Sequence, residues 1–295
     1  MTEPDAEASD DTAPDRTSPE ITPLDPPVKM AISSGVATVT MNRPDQRNRL
    51  NLEAIRLMEA LIEQAGADGT VRVVIITGSG STFCSGADLA TASTSDGFAA
   101  GALTALGDLL AAIQDCPKPT IARVQGHVAG GGNGLVAACD IAVAAADARF
   151  AFSEVRVGVA PAVISVLCLD VMHRRDAQEL LLTGERVDAE RVRQAGLLTR
   201  VVEPDALDAV VDGYVEQLLA GGPRALAATK DLIRRVPTMP RAEAFAWTAE
   251  LSATVFASAE AAEGMAAYLG KRPPAWLPGS TSEAEEGSSG LGGSA

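Results

Sequence analysis

The run Gly126-His127-Val128-Ala129-Gly130-Gly131-Gly132-Asn133-Gly134-Leu135-Val136-Ala137-Ala138-Cys139-Asp140 constrains this chain more than any other stretch. It follows an apolar, strand-like segment, Pro119-Thr120-Ile121-Ala122-Arg123-Val124, and leads into an apolar, helix-like one. Its backbone amides therefore belong at a helix N-terminus, where an anion is best received. Three consecutive glycines let a ligand or another segment approach the backbone without Cβ interference, at an entropic cost that a mere connector would avoid. Two readings follow: an anion or oxyanion pocket, or a tight packing turn between strand and helix.

The flanking sequence supplies the context. Val28 to Met41 alternates apolar and small residues around Ser34-Gly35 and reads as a β-hairpin. Asn51 reads as the N-cap of a helix whose buried side carries Leu52, Ile55, Leu57, Met58, Leu61 and Ile62. Val71 to Thr77 is a continuous apolar run suited to a sheet covered on both faces. It ends in a second small-residue loop, Gly78-Ser79-Gly80-Ser81-Thr82-Phe83-Cys84-Ser85-Gly86-Ala87-Asp88-Leu89. Two such loops after two strands can face each other across one pocket. Ala90 to Ala100 reads as a flexible cover, followed by a helix from about Ala102 to Asp115. Strands Asp140 to Ala145 and Arg149 to Phe152 follow, giving a layered α/β core. From Ala162 onward the pattern is mainly helical, near 174–183, 188–195, 206–220, 223–235 and 241–270, with a short apolar run at Leu197 to Val202.

Charge separates core from tails. The net charge is −15, yet residues 1–27 hold eight acidic residues against Arg16 alone, and 278–295 add three acids and no base. Both tails lack the apolar content that would offset the entropy of ordering, and read as disordered. The resulting organisation is an acidic tail 1–27, a core 28–200, a helical region 201–277 and a tail 278–295. Lys and Arg form no basic stripe along the sequence, which argues against a nucleic-acid surface. Cys84, Cys116, Cys139 and Cys168 form no C-x-x-C pair, and His127 and His173 complete no zinc spacing, so no metal site is expected. No apolar run reaches membrane-spanning length, and the N-terminus has no signal-peptide pattern. A cytoplasmic protein with free thiols is the expectation.

Three separated motifs then agree: Phe83-Cys84-Ser85-Gly86-Ala87-Asp88-Leu89; Ala129-Gly130-Gly131-Gly132-Asn133-Gly134-Leu135 ending in Cys139-Asp140-Ile141-Ala142; and Phe152-Ser153-Glu154-Val155-Arg156-Val157-Gly158. Their order and spacing resemble the crotonase, or enoyl-CoA hydratase/isomerase, superfamily. The resemblance extends from Val28 to Trp276 and includes Asn42-Arg43-Pro44, Asn48-Arg49-Leu50, Glu263-Gly264-Met265 and Lys271-Arg272-Pro273. It implies a spiral of ββα units with a helical C-terminal region that forms homotrimers, often stacked as homohexamers. It also implies an acyl-CoA thioester substrate, with no cofactor beyond the coenzyme A that the substrate carries. By position, the amides of Ala87 and Gly131 would hold the thioester oxygen as it becomes an enolate. Such preorganised donors stabilise developing charge by about 3 kcal/mol each. Gly86, Asp88, Gly130, Gly134, Arg49, Leu50 and Lys271 are the remaining candidates for substrate contact.

Standard hydratases of this family use two carboxylates. Glu154 matches the later one; the position of the earlier one is Gly134. The resemblance offers two precedents for a single carboxylate: Δ3,Δ2-enoyl-CoA isomerases, and a hydratase branch acting on branched, carboxylated glutaconyl-type thioesters. Ile121-Ala122-Arg123-Val124-Gln125-Gly126 favours that hydratase branch. So does Ala160-Pro161-Ala162-Val163-Ile164-Ser165, which stands where ordinary hydratases carry Pro-Gly-x-Gly-Gly. The reading is an enoyl-CoA hydratase, a carbon–oxygen lyase in which Glu154 handles water and proton and Gly134 leaves room for a bulkier acyl group. A non-catalytic acyl-CoA-binding protein is the competing class. His127 reads as a hydrogen-bonded structural histidine, Asp88 as a helix cap as well as a site candidate, and Cys84 and Cys139 as packing thiols. Arg47, Arg49 and Lys271 are candidates for the coenzyme A phosphates.

Overall fold

The computed structural model describes residues 25–86 and 98–277. Ala87, Asp88, most of the stretch read as a cover, and nearly all of both tails lie outside the described residues. The hairpin is present as β1 (Val28–Ser33) and β2 (Val36–Met41), antiparallel, with Ser34 and Gly35 both at positive φ, as a two-residue turn of this hand requires. Next comes α1 (Leu52–Ala67); the Asn51 side chain accepts the Ala54 N–H at 2.8 Å, and Ile55, Met58 and Ile62 are buried.

Three turns of one pattern follow. β3 (Val73–Gly78), β4 (Thr82–Cys84) and α2 (Phe98–Asp115) form the first. β5 (Thr120–Val124), β6 (His127–Ala129) and α3 (Gly131–Ala138) form the second. β7 (Ile141–Ala145), β8 (Arg149–Ala151), a 3-10 turn (Ser153–Val157) and α4 (Ala162–Val171) form the third. The first strand of each turn joins a six-stranded sheet, ordered β1-β2-β3-β5-β7-β10, where β10 is Arg200–Val202. The second joins a four-stranded sheet, ordered β4-β6-β8-β9, where β9 is Arg186–Asp188. This is the spiral of ββα units that the resemblance implies. Helices Arg174–Thr183 (α5), Ala189–Gln194 (α6), Leu207–Ala220 (α7), Pro223–Arg235 (α8), Arg241–Phe256 (α9) and Ala259–Leu269 (α10) complete the described chain.

Two apolar clusters hold these layers. The larger lies between the sheets and helices and includes Val39, Met58, Ile62, Phe83, Leu109, Ile113, Leu135, Phe150 and Phe152. The smaller covers the opposite face of the large sheet, where Leu207, Val211 and Val215 of α7 meet Val73, Ile75, Ile121 and Val143. A division after residue 200 would thus run through β10, and α7 belongs with the sheet it covers. Further helices leave apolar surface open. No residue of α9 is buried, and Phe245, Phe256, Tyr268 and Leu269 are exposed. No helix among the described residues is long and apolar enough to cross a membrane.

Two expectations change here. Residues 98–100, assigned from sequence to the cover, begin α2. The single helical stretch 241–270 is two helices, separated because the Ser258 hydroxyl accepts the Ala261 N–H at 3.1 Å and starts α10 afresh.

Candidate active site

The three motifs sit at one place because the strands before them are neighbours. β4, β6 and β8 run parallel in the small sheet, and Ser85-Gly86, Gly130-Gly131 and Ser153-Glu154 follow directly at or near their C-terminal ends. That edge is where open α/β sheets place ligands. Gly86 and Gly130 both have positive φ (86° and 50°), and their backbones touch. A Cβ on Gly86 would stand 2.9 Å from the Ala129 carbonyl oxygen; one on Gly130 would stand 3.5 Å from Gly86 Cα and 3.6 Å from Glu154 Oε1. Glycine is required by this close approach.

Gly131 opens α3, so its N–H has no acceptor within the helix. It is buried, and a Cβ there would meet Leu50 Cδ1 at 3.2 Å and Leu106 Cδ2 at 3.4 Å. The packing-turn reading of the glycine run is physically present: the glycines permit tight contact, and the contact leaves a helix N-terminus beside a carboxylate. Ala87, the other expected amide donor, and Asp88 lie outside the described residues.

Glu154 lies half-buried in the turn after β8. Burial pushes its carboxyl above the ordinary carboxylate value, against a smaller opposing effect of a backbone hydrogen bond at the same residue. Its Oε2 is buried without a hydrogen-bond partner. A desolvated carboxyl whose Oε2 has no partner, beside a helix N-terminus, is chemically suited to taking and returning a proton. Cys168, fully buried on α4, is near enough for the Glu154 charge to disfavour its thiolate, but burial is the larger cause of its rise to about 12. Burial likewise raises Cys84 to about 12 and Cys139 further, as packing thiols require.

The expectation that Gly134 leaves room for a bulky acyl group is overturned by packing. A Cβ on Gly134 would lie 2.7 Å from Ile164 Cγ2 and 3.1 Å from Leu110 Cδ1. The space at that position is already filled from α4 and α2. Ile164, Leu110 and Leu106 are buried and were not singled out as site residues from sequence, although Ile164 lies within the unusual Ala160–Ser165 segment.

The loop after β2 brings Leu50 and Arg49 to the site edge. The Leu50 N–H donates to the Gly86 carbonyl at 2.8 Å, and the Ser85 N–H to the Arg47 carbonyl at 3.1 Å. Asn48 fixes this loop from inside: fully buried at positive φ, its Nδ2 donates to the carbonyls of Ser79 (2.9 Å) and Thr82 (2.7 Å), and its Oδ1 accepts the Arg43 N–H (3.0 Å). Asn48→Ala strands those groups in the interior and is expected to cost about 1–3 kcal/mol, seen as a lower denaturant midpoint at unchanged slope. Arg49 is partly buried, its Nε donating to Gln46 Oε1.

Among the described residues, no hydrogen bond or ion pair joins Lys271 to these loops. Its neighbours are tied elsewhere: Arg272 pairs with Glu263 at 2.7 Å, and Trp276 accepts from Arg72 and donates to Ala220. Arg72 precedes β3, at the end opposite Gly78 and the loops. His127 has the hydrogen-bond partner expected of it, Arg186 Nη2 lying 2.8 and 2.9 Å from its two ring nitrogens, but its side chain is exposed. No group of three potential metal-ligating side chains occurs among the described residues.

Known proteins share this fold. The family model described as enoyl-CoA hydratase/isomerase matches residues 31–278. A crystal structure of an enoyl-CoA hydratase from Mycobacterium smegmatis superposes with a TM-score of 0.81 at 35% identity, over 85% of this chain and 99% of that one. An enoyl-CoA hydratase from Shewanella pealeana gives 0.80 at 30% identity, over 85% and 96%. In sequence, the chain is 29% identical over 252 residues to the (E)-benzylidenesuccinyl-CoA hydratase of Thauera aromatica, covering 85% of this chain and 98% of that protein. With its spiral fold and the meeting of its three motifs, this chain belongs to the enoyl-CoA hydratase/isomerase family of the crotonase superfamily, and is an enzyme of that family.

Proposed function

We propose that this enzyme is an enoyl-CoA hydratase that adds water to, or removes it from, the double bond of an acyl-CoA thioester, with Glu154 as its one catalytic carboxylate. The carrying observation is the convergence of Gly86, Gly130 and Glu154, with a Cβ position on Gly130 within 3.6 Å of both. In the hydration direction the thioester oxygen accepts from the Gly131 N–H and, by the family's pattern, from that of Ala87. Glu154 takes a proton from water as the oxygen of that water bonds to C3. The C2–C3 π electrons move onto the thioester oxygen, giving an enolate held by the amides. Glu154 then returns the proton to C2, and the carboxylate is regenerated. The scheme uses no cofactor beyond the coenzyme A of the substrate.

A branched or carboxylated acyl group fits the same reading. One relative's name specifies a benzylidenesuccinyl thioester, whose succinyl part carries a second carboxyl group. With Gly134 occupied by Ile164 and Leu110, room for a branch must come from elsewhere in the pocket. A second reading, Δ3,Δ2-enoyl-CoA isomerase, is favoured by that same apolar wall: one base can carry a proton between C2 and C4 without any water. The exposed apolar residues of α9 and α10 support the family's trimer or hexamer, and the four unpaired cysteines support a cytoplasmic location.

Incubation with a panel of straight, branched and carboxylated enoyl-CoA thioesters tests these readings. Gain of one water by mass supports the hydratase; a shifted double bond at unchanged mass supports the isomerase; no turnover on any thioester refutes both. A further test concerns the missing carboxylate. Gly134→Glu alone is expected to destabilise by about 1–3 kcal/mol through overpacking against Ile164, and Gly134→Glu with Ile164→Gly to recover most of that loss in a thermal melt.

A further inference from the structure

From Gly130 to Gly134 the start of α3 carries a single side chain, that of Asn133. Gly130, at the N-cap, makes no side-chain cap, and Gly131 and Gly132 have only their backbones with which to hold a neighbour. How the first turn of α3 is fixed therefore depends on Asn133. It is fully buried. Its main-chain N–H donates to the Gly130 carbonyl at 2.9 Å, and its Nδ2 donates to the Ala151 carbonyl, also at 2.9 Å.

The Ala151 carbonyl is a shared acceptor, since the Gly130 N–H reaches it as well, at the longer distance of 3.3 Å. Ala151 ends β8 and stands three residues before Glu154. One oxygen thus joins the strand that leads to the carboxylate with the helix start that carries the Gly131 amide. The Cys168 thiol of α4 comes to the same residue, donating to the Asn133 carbonyl at 3.9 Å. Among the described residues no hydrogen bond joins Asn133 to Glu154 itself, so an effect of the first on the second passes through Ala151.

The other end of the side chain shows that packing does not account for it. A carbonyl can accept only from the amide nitrogen, so Ala151 sets the orientation of the Asn133 amide and Oδ1 must face away from it. That Oδ1 is buried without a partner, which is destabilising. Leucine, with the same branching and nearly the same volume, would fill the site without an unmet acceptor and is the better helix former. What leucine lacks is the donor to Ala151.

We propose that Asn133 is a positioning residue for Glu154: its amide holds the Ala151 carbonyl, and through it the turn Ser153–Val157, in register with the Gly131 amide. The assignment rests on the reading of Glu154 as the catalytic carboxylate and adds what sets its place. Proton transfer needs Glu154 within hydrogen-bond reach of the reacting atoms, and a displacement of about 1 Å lowers the rate on the order of 10²-fold.

Asn133→Leu separates positioning from packing. It keeps the volume and removes both the donor and the unmet acceptor, so the variant should melt within about 3 °C of wild type. On an active thioester kcat should fall by about 10–100-fold while KM changes by less than about twofold. Glu154→Gln alone tests the carboxylate independently, and Asn133→Leu added to it should slow turnover no further, because a residue that acts only through Glu154 then has nothing left to place. Asn133→Ala, compared in the same two backgrounds, serves if the leucine variant does not fold. Amide hydrogen exchange read by mass spectrometry needs no turnover: residues 152–158 should exchange at least about fivefold faster in Asn133→Leu, with β3 unchanged. A kcat within about twofold of wild type in a folded variant overturns the proposal, as does full multiplication of the two losses in the double variant. If the wild type converts no enoyl thioester, the proposed reaction fails on its own and exchange decides: faster exchange at 152–158 retains the tie between Asn133 and the Glu154 turn, and unchanged exchange overturns it.

Discussion

Glu154→Gln lowers turnover of any active thioester by about 10²–10⁴-fold, the usual contribution of a positioned acid–base group, and leaves the protein folded. The isosteric amide keeps the volume of the turn after β8 but can neither take a proton from water nor return one. A variant retaining wild-type turnover on every active thioester refutes the assignment. The pH profile gives an independent reading. Because burial raises the Glu154 pKa, the limb of kcat/KM that requires its carboxylate should lie above the ordinary carboxylate range. Stability carries the matching sign. A carboxyl whose folded pKa exceeds its unfolded value makes the folded state bind the proton more tightly. Its stabilising contribution is complete below the unfolded pKa and is lost as pH rises through the folded one. At neutral pH, then, Glu154→Gln is expected to melt at or above the wild-type temperature, with the advantage disappearing in acid.

Gly126→Ala is the substitution with the largest expected effect on folding. Gly126 has φ of +68°, and an added Cβ would overlap the Ser81 carbonyl oxygen and lie 3.3 Å from Thr82 Cα. Those atoms are backbone and cannot rotate away. The residue carries the chain from the large sheet to the small one, forms a bridge with Thr82, and its carbonyl accepts the Arg149 N–H at 2.8 Å. Relief by local movement would therefore disturb β4, β6 and β8 together. Left-handed strain and backbone overlap combine to a cost on the order of 4 kcal/mol or more. Melting within about 2 °C of wild type would contradict this.

The sequence is legible where local chemistry decides. Asn51 caps α1 because its side chain reaches an amide three residues on, a relation contained within four residues. The glycine loops were visible because close backbone approach restricts residue type, and Glu154 because its place in the Phe152–Gly158 motif matches the family's later carboxylate. Of the small sheet only β8 was, as the strand read at Arg149 to Phe152: β4, β6 and β9 are three residues each, too short to display a period of two. His127-Val128-Ala129 thus read as part of a loop, and Arg186, which meets the His127 ring, lies 59 residues away in sequence. Gly134 and Ile164 show the same limit. Both stood out as departures from the family's pattern, but only tertiary contact reveals that they are one departure: the isoleucine occupies the volume that the glycine vacates. Lys271 matched a motif while its surroundings are set by Arg72 and Trp276, residues that no local pattern connects to it.

The order of the spiral has a consequence for when this protein becomes competent. Gly86 belongs to its first turn, Gly130 to its second and Glu154 to its third, so no segment shorter than that whole span contains the thioester pocket. A nascent chain released as far as β7 would possess both glycine loops and nothing to move a proton. Such sequence-distant contacts form late, because the loop entropy separating them must be surrendered first. Competence would then arrive in one step with the docking of the third turn, and partly folded chains would be spared from capturing thioesters they could not convert.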